Sequence, residues 1–178
     1  MPRLFTGLEI PRDVGMRLAA LRGGLQGARW LDSDNYHITL RFIGDIDSAT
    51  ARDIFSILGD RKQHGAIPVT LDEMASFGGD KPRALYARVT PTPALTDLQM
   101  EQERLIRRVG IAPEARKFVP HVTLARLRES SAGSVADYIA SWGQFPKMTF
   151  TARRFVLFSS RDSVGGGPYV VEAAYPLD

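Results

Sequence analysis

The sequence predicts an α+β fold in which two similar lobes face each other across a cleft. Three observations lead there. Strand-like segments are interleaved with four helical stretches, without the regular alternation of a doubly wound parallel sheet. The tetrapeptide His-x-Thr-Leu occurs twice, as His37-Ile38-Thr39-Leu40 and, 84 positions later, as His121-Val122-Thr123-Leu124. Around each copy the chain repeats a helix, a strand that carries the motif, and a further helix.

Residues 3–10 read as a strand, and after Pro11 Val14, Leu18, Leu21 and Leu25 recur at helical spacing. Residues 28–31 and 37–43 read as short strands. Asp47 or Ser48 caps a second helix, whose buried stripe is Ile54, Ile57 and Leu58 and whose end is Gly59. Strands at 67–77 and 84–90 flank Gly78-Gly79-Asp80-Lys81-Pro82, a hairpin signal. Thr92 and Pro93 stand at the cap and first turn of a third helix with the stripe Leu95, Leu98, Leu105, Ile106 and Val109, stopped by Gly110. A strand at 121–127 follows. Val135, Ile139 and Trp142 mark a fourth helix ending at Gly143, and two strands, 148–159 and 169–175, close the chain. No linker or low-complexity stretch divides these elements, so residues 1–178 are expected to form one domain made of two lobes.

Composition narrows the function. The chain is 44% hydrophobic and 24% charged, which is ordinary for a globular protein. It has no cysteine, so disulfides, thiolate nucleophiles and thiolate metal sites are excluded. No apolar run approaches the ~18 residues of a membrane helix, and the amino terminus lacks a signal-peptide pattern. A cytoplasmic protein with no membrane contact is expected. The net charge of +3 is a weak attraction for nucleic acid. Nineteen of the 23 basic residues are arginines, whose forked guanidinium matches phosphate oxygens. Codon bias produces the same excess, so charge alone decides nothing.

The paired motif carries more information. At this chain's composition a histidine meets both downstream residues by chance about once in two hundred, so two of three histidines doing so is roughly a one-in-ten-thousand event. In a strand, residues i and i+2 share a face. Histidine and threonine therefore point to one side, while Ile38 and Leu40, or Val122 and Leu124, anchor the strand in the core. Two copies across a cleft present two imidazoles and two hydroxyls. That set suits phosphoryl transfer without a metal. One neutral imidazole takes a proton from water and the other, protonated, gives one to the leaving oxygen, both states being accessible near neutrality. Threonine hydroxyls can donate to the non-bridging phosphate oxygens. The third histidine, His64, stands among Arg61, Lys62, Gln63 and Gly65 and reads as a surface residue.

The two motifs, with Ala28-Arg29-Trp30, Asn35-Tyr36 before the first and Phe118-Val119-Pro120 before the second, resemble the 2H phosphoesterase superfamily. The bacterial RNA 2',3'-cyclic phosphodiesterases, also called 2'-5' RNA ligases, are the nearest group. The resemblance runs over nearly the whole chain and implies a bilobal fold with two antiparallel sheets lining a central cleft and helices outside. It implies hydrolysis of RNA 2',3'-cyclic phosphate ends to 2'-phosphomonoesters, with weak reverse joining, no cofactor and no metal. The partners implied are RNA ends or oligonucleotides carrying the cyclic phosphate, bound by a monomer. His37 is then the proton donor, His121 the acceptor, Thr39 and Thr123 their companions, and Arg126 the phosphate-binding arginine. Strand parity, however, places Arg126 opposite His121 unless the strand bends near Ala125, whereas Arg41 has the parity for the cleft. Tyr36 departs from the aliphatic residue usual at its position. The loop Lys81-Pro82-Arg83 could touch RNA phosphates, but reads more simply as a solvated hairpin tip.

Other readings are weaker. A metal hydrolase lacks its ligand spacing, because threonine stands two places after each histidine. An ATP-dependent ligase lacks a lysine motif, and no helix start follows Gly165-Gly166-Gly167. A phosphodiesterase for another small cyclic phosphate, or a non-catalytic nucleotide- or RNA-binding protein, would use the same cleft.

Overall fold

The structure, a computed structural model, describes residues 3–160 and 168–178; Gly165-Gly166-Gly167 lies outside them. The element order is β1 (Arg3–Glu9), α1 (Arg12–Ala19), β2 (Ala28–Trp30), a 3-10 turn (Ser33–Asn35), β3 (His37–Asp45), α2 (Ser48–Leu58), β4 (Ile67–Phe77), β5 (Ala84–Val89), α3 (Pro93–Arg108), β6 (His121–Leu127), α4 (Ala132–Ser141), β7 (Met148–Ala152), β8 (Arg154–Ser160) and β9 (Tyr169–Pro176). Helix starts follow their caps. Asp47, Thr92 and Ser131 accept hydrogen bonds from the backbone N–H of Thr50, Leu95 and Ser134, which satisfies donors that a helix cannot pair internally.

The strands are antiparallel and run in the order β7-β4-β5-β6-β3-β1-β8-β9, with β2 added to β6. The two expected sheets therefore join, and they do so through one residue pair, Ile38 of β3 opposite Val122 of β6. Every other neighbouring pair shares at least three positions. The halves thus meet at a single position, and the expected cleft lies on the sheet face turned away from the helices at that join. Helices α2 and α3 cover the β3-β1-β8-β9 half and α1 and α4 the other, where the Tyr138 hydroxyl donates to the carbonyls of Leu21 and Gly23 at 3.0 and 2.9 Å. Leu8, Leu18, Ile38, Ile54, Leu71, Leu98 and Val122 are all but inaccessible in the core between helices and sheet.

Two boundaries differ from the sequence reading. The expected 148–159 strand is two strands. β7 pairs with β4 and β8 with β1, so the chain crosses from one half to the other at Arg153. Continuous strand propensity hides such a change of partner. The first helix stops at Ala19, because Gly23 and Gly24 take φ of 100° and 84°; Leu21 and Leu25 still bury their side chains, from the loop.

Candidate active site

The pair Ile38–Val122 organises the site. Directly opposite residues of an antiparallel pair share a face. Ile38 and Val122 point into the core, each 0% exposed, so the residues on either side of them turn to the cleft. The same register brings His37 beside Thr123 and Thr39 beside His121. All four are half-buried, and the structure puts them where the paired motif predicts.

Each imidazole is oriented by the chain two residues earlier. His37 Nδ1 donates to the Asn35 carbonyl at 2.9 Å and His121 Nδ1 to the Val119 carbonyl at 2.6 Å. A carbonyl can only accept, so Nδ1 carries the hydrogen and Nε2 is left to accept or release a proton. The 3-10 turn, capped by the Asp32 side chain on the Asp34 N–H at 3.1 Å, holds Asn35 in place for the first contact. His37 Nε2 meets the Thr39 hydroxyl at 3.0 Å, which locks the ring from both ends.

Aromatic rings surround each histidine. His37 lies 5.0, 5.5 and 4.9 Å from the ring centroids of Phe5, Phe158 and Tyr169. His121 meets Phe77 and Tyr86 nearly edge-on at 4.8 and 5.2 Å. Burial in these collars disfavours the imidazolium. The pKa of His37 falls to about 4, chiefly by desolvation; the Asn35 carbonyl raises it, and the charges of His121 and Arg126 lower it further. That of His121 falls for the same first reason, opposed by the Val119 carbonyl and assisted by Arg126. The collars were not singled out in the sequence. Parity from the hairpin does place Phe77 and Tyr86 on one face, but nothing local ties that face to His121.

A shared irregularity settles the two arginines. Between β1 and β3, Gly7 pairs with Thr39 and Thr6 with Arg41, leaving Leu40 as an extra residue. Between β5 and β6, Tyr86 pairs with Thr123 and Leu85 with Ala125, leaving Leu124 extra. A bulge reverses which face the following residues present. The expectation that Arg41 faces the cleft is therefore corrected. Arg41 is 4% exposed and points to the helix side, where it pairs with Glu103, reaches the Phe42 carbonyl, and donates to the Ala112 carbonyl at 2.6 Å. Arg126 turns to the cleft, is exposed, and acts on the charge of both histidines. The bend that its assignment required is Leu124. Phe42 holds the corresponding place in the first motif and is 40% exposed. Gly7 permits the first bulge, since a Cβ there would lie 2.6 Å from the Ile38 carbonyl oxygen.

The Arg41 geometry gives an expected result. Arg41→Met strands the partly buried Glu103 carboxylate, so urea denaturation should show about 2–3 kcal/mol lost stability. Turnover per folded molecule should stay as in the unsubstituted protein.

The third histidine is also corrected. His64 is not a surface residue: its side chain is 6% exposed and its Nε2 contacts Glu101 Oε1 at 2.8 Å. Of the polar neighbours that suggested exposure, Lys62 and Gln63 are exposed, while Arg61 is half-buried and donates to the Pro176 carbonyl. Tyr36 is 5% exposed and packs in the core. Lys81 and Arg83 are exposed, and Arg83 sets its guanidinium 5.7 Å from the Phe77 ring centroid. Among the described residues no three His, Asp or Glu side chains gather to hold a metal, and no helix is long and apolar enough to cross a membrane.

Two His-x-Thr strands meeting on the floor of one cleft define the architecture of a two-histidine phosphoesterase. The family model of LigT like phosphoesterases matches residues 8–86 and 89–169, and the chain belongs to that family, a family of phosphoric-ester hydrolases. Proteins named RNA 2',3'-cyclic phosphodiesterase are similar to it. The one from Aquifex aeolicus is 30% identical, over 83% of this chain and 81% of its own length. The one from Escherichia coli is 27% identical, over 94% and 92%. Solved structures share the fold. Escherichia coli LigT complexed with 3'-AMP superposes with a TM-score of 0.78 at 22% identity, covering 99% of both chains. TT0787 of Thermus thermophilus reaches 0.81 at 18% identity, over 98% of this chain and 97% of its own.

Proposed function

We propose that this chain hydrolyses 2',3'-cyclic phosphate ends of RNA to 2'-phosphomonoesters, using His37 and His121 as an acid–base pair. The observation that carries this reading is the Ile38–Val122 pairing, which puts two oriented imidazoles and two threonine hydroxyls on one cleft face. The names of the curated relatives supply the substrate class.

In the forward direction His121 Nε2 takes a proton from water as its oxygen attacks phosphorus. The bond from phosphorus to the ribose 3'-oxygen breaks, and that oxygen takes a proton from His37 Nε2, leaving the phosphate on the 2'-oxygen. Thr39, Thr123 and Arg126 donate to the non-bridging oxygens, where charge builds up in the transition state. In the free protein the Thr39 hydroxyl is engaged with His37 Nε2 at 3.0 Å. Protonation of the ring turns Nε2 into a donor and frees that hydroxyl's hydrogen for phosphate, so loading the acid and assembling the phosphate site are coupled. Phe42 offers an exposed apolar ring face on the cleft, suited to stack under a base. The reverse reaction uses the same two protons, and joining RNA ends into a 2'-5' linkage needs no ATP.

Low histidine pKa values set the pH dependence. Both pKa values are depressed in the free protein, that of His37, the donor by family resemblance, to about 4. A bound phosphate anion raises both values, because it favours the imidazolium. kcat/KM follows the free protein and should peak below pH 6.5, midway between two depressed values; kcat follows the complex and should peak at higher pH. Coincident profiles centred above pH 7 would contradict this.

The direct test of the function is hydrolysis of a dinucleotide ending in a 2',3'-cyclic phosphate, with EDTA present. The 2'-phosphate product is expected. A 3'-phosphate product, or turnover abolished by the chelator, would overturn the reading.

A further inference from the structure

Beyond the terminal site, the His121 half of the cleft carries a row of residues joined strand to strand. Phe77 of β4 pairs with Ala84 of β5, Ala84 with Arg126 of β6, and Arg126 with Arg29 of β2. Arg29 shares the cleft face, because its neighbours turn the other way. Ala28 and Trp30 pack against the core, and Trp30 lies 6.1 Å from the Tyr138 ring of α4. Arg83, next to Ala84, extends the row through its contact with the Phe77 ring.

Among the described residues several arginines, Arg12, Arg52 and Arg128 among them, meet no carboxylate, but this row brings three such residues onto the face that carries His121. Arg3, Arg41, Arg88, Arg116 and Arg154 each meet a carboxylate. Among the described residues Arg29, Arg83 and Arg126 meet none within 4.0 Å. Like charges directly opposite on an antiparallel pair repel, and Arg29 and Arg126 stand so. A phosphate anion between or beside them removes that repulsion. Arg126 is already engaged by the reacting phosphate in the proposed function, which leaves Arg29 and Arg83 without an assigned anion.

Resting on that function, we propose that Arg29, with Arg83, holds the phosphodiester backbone on the 5' side of the terminal nucleotide. A 2',3'-cyclic phosphate lies at the 3' end of its strand, so the remaining RNA leaves the site through the terminal 5'-oxygen. The arginine row lies one cleft-facing position beyond Thr123 on β6, so a strand that leaves the reacting phosphate on that side meets it. Such contacts favour an oligonucleotide over a cyclic mononucleotide without reading its sequence.

The test compares a 2',3'-cyclic mononucleotide with a tetranucleotide ending in the same group, over a range of salt. The mononucleotide has no upstream phosphodiester and reports the terminal site alone. Arg29→Gln should raise KM for the tetranucleotide about five- to tenfold with kcat retained, and reduce the slope of log affinity against log salt by about 0.7. Arg29→Lys should keep most of that slope. Arg83→Gln should act in the same direction. An equal loss on both substrates would overturn the proposal, as would an unchanged tetranucleotide KM in Arg29→Gln. If the unsubstituted protein hydrolyses both substrates with the same KM, the track falls while the phosphodiesterase reading stands. If it hydrolyses neither, both fall.

Discussion

His37→Ala and His121→Ala are each expected to lower kcat on a cyclic-phosphate dinucleotide by about 10²–10⁴-fold, the usual contribution of one positioned acid or base. Both are expected to retain nucleotide binding, since Thr39, Thr123 and Arg126 remain. The double variant should be little worse than either single one, because the rings act as a unit and removing one idles the other. Steady-state kinetics with a binding titration on the same samples checks this. A single variant at full activity would remove that histidine from the mechanism. Losses that multiply in the double variant would mean two independent contributions rather than a pair.

The second large effect is on stability. His37 has a pKa of about 4 in the folded protein and 6.5 as its ordinary value. The unfolded chain therefore binds more protons in that window, and stability rises with pH through it. Conversely, acidification from about pH 6.5 to pH 4 should cost roughly 2–3 kcal/mol through His37 alone, because each tenfold difference in proton affinity is worth about 1.4 kcal/mol. Above about pH 7.5 the ring is neutral in both states and contributes no pH dependence. His37→Gln keeps a donor for the Asn35 carbonyl and cannot charge. Urea midpoints at pH 7 and pH 4 should thus fall less for the variant than for the unsubstituted protein, by that difference. Equal falls would mean that the buried ring takes its proton without penalty.

What could be read in advance follows from the range of the interactions. The four helices, the hairpin and the two motif strands are specified locally, by caps, apolar period and glycine stops, and they form near their expected boundaries. His37, Thr39, His121 and Thr123 were legible because alternation within one strand fixes their face. Arg41 was misread because parity holds only while the ladder is regular. The extra residue at Leu40 depends on how β1 lies against β3, and Gly7, where a side chain would strike the Ile38 carbonyl, is far away in the sequence. The same device at Leu124 turns Arg126 inward. The aromatic collars were missed for a related reason. Phe5, Phe158 and Tyr169 reach His37 from β1, β8 and β9, and their convergence depends on strand order. His64 looked solvated from its neighbours, and its burial is fixed by Glu101, 37 residues away.

The central claim is that the two rings do opposite jobs on one phosphate. A substrate whose ribose 3'-oxygen is replaced by sulfur tests it most directly, since a thiolate leaves without a proton. On this substrate His37→Ala should recover most of its lost rate relative to the unsubstituted protein, while His121→Ala, still lacking its base, should not. Equal defects on the oxygen and sulfur substrates in both variants would contradict the acid–base pair, and recovery by His121→Ala alone would contradict the direction assigned to it.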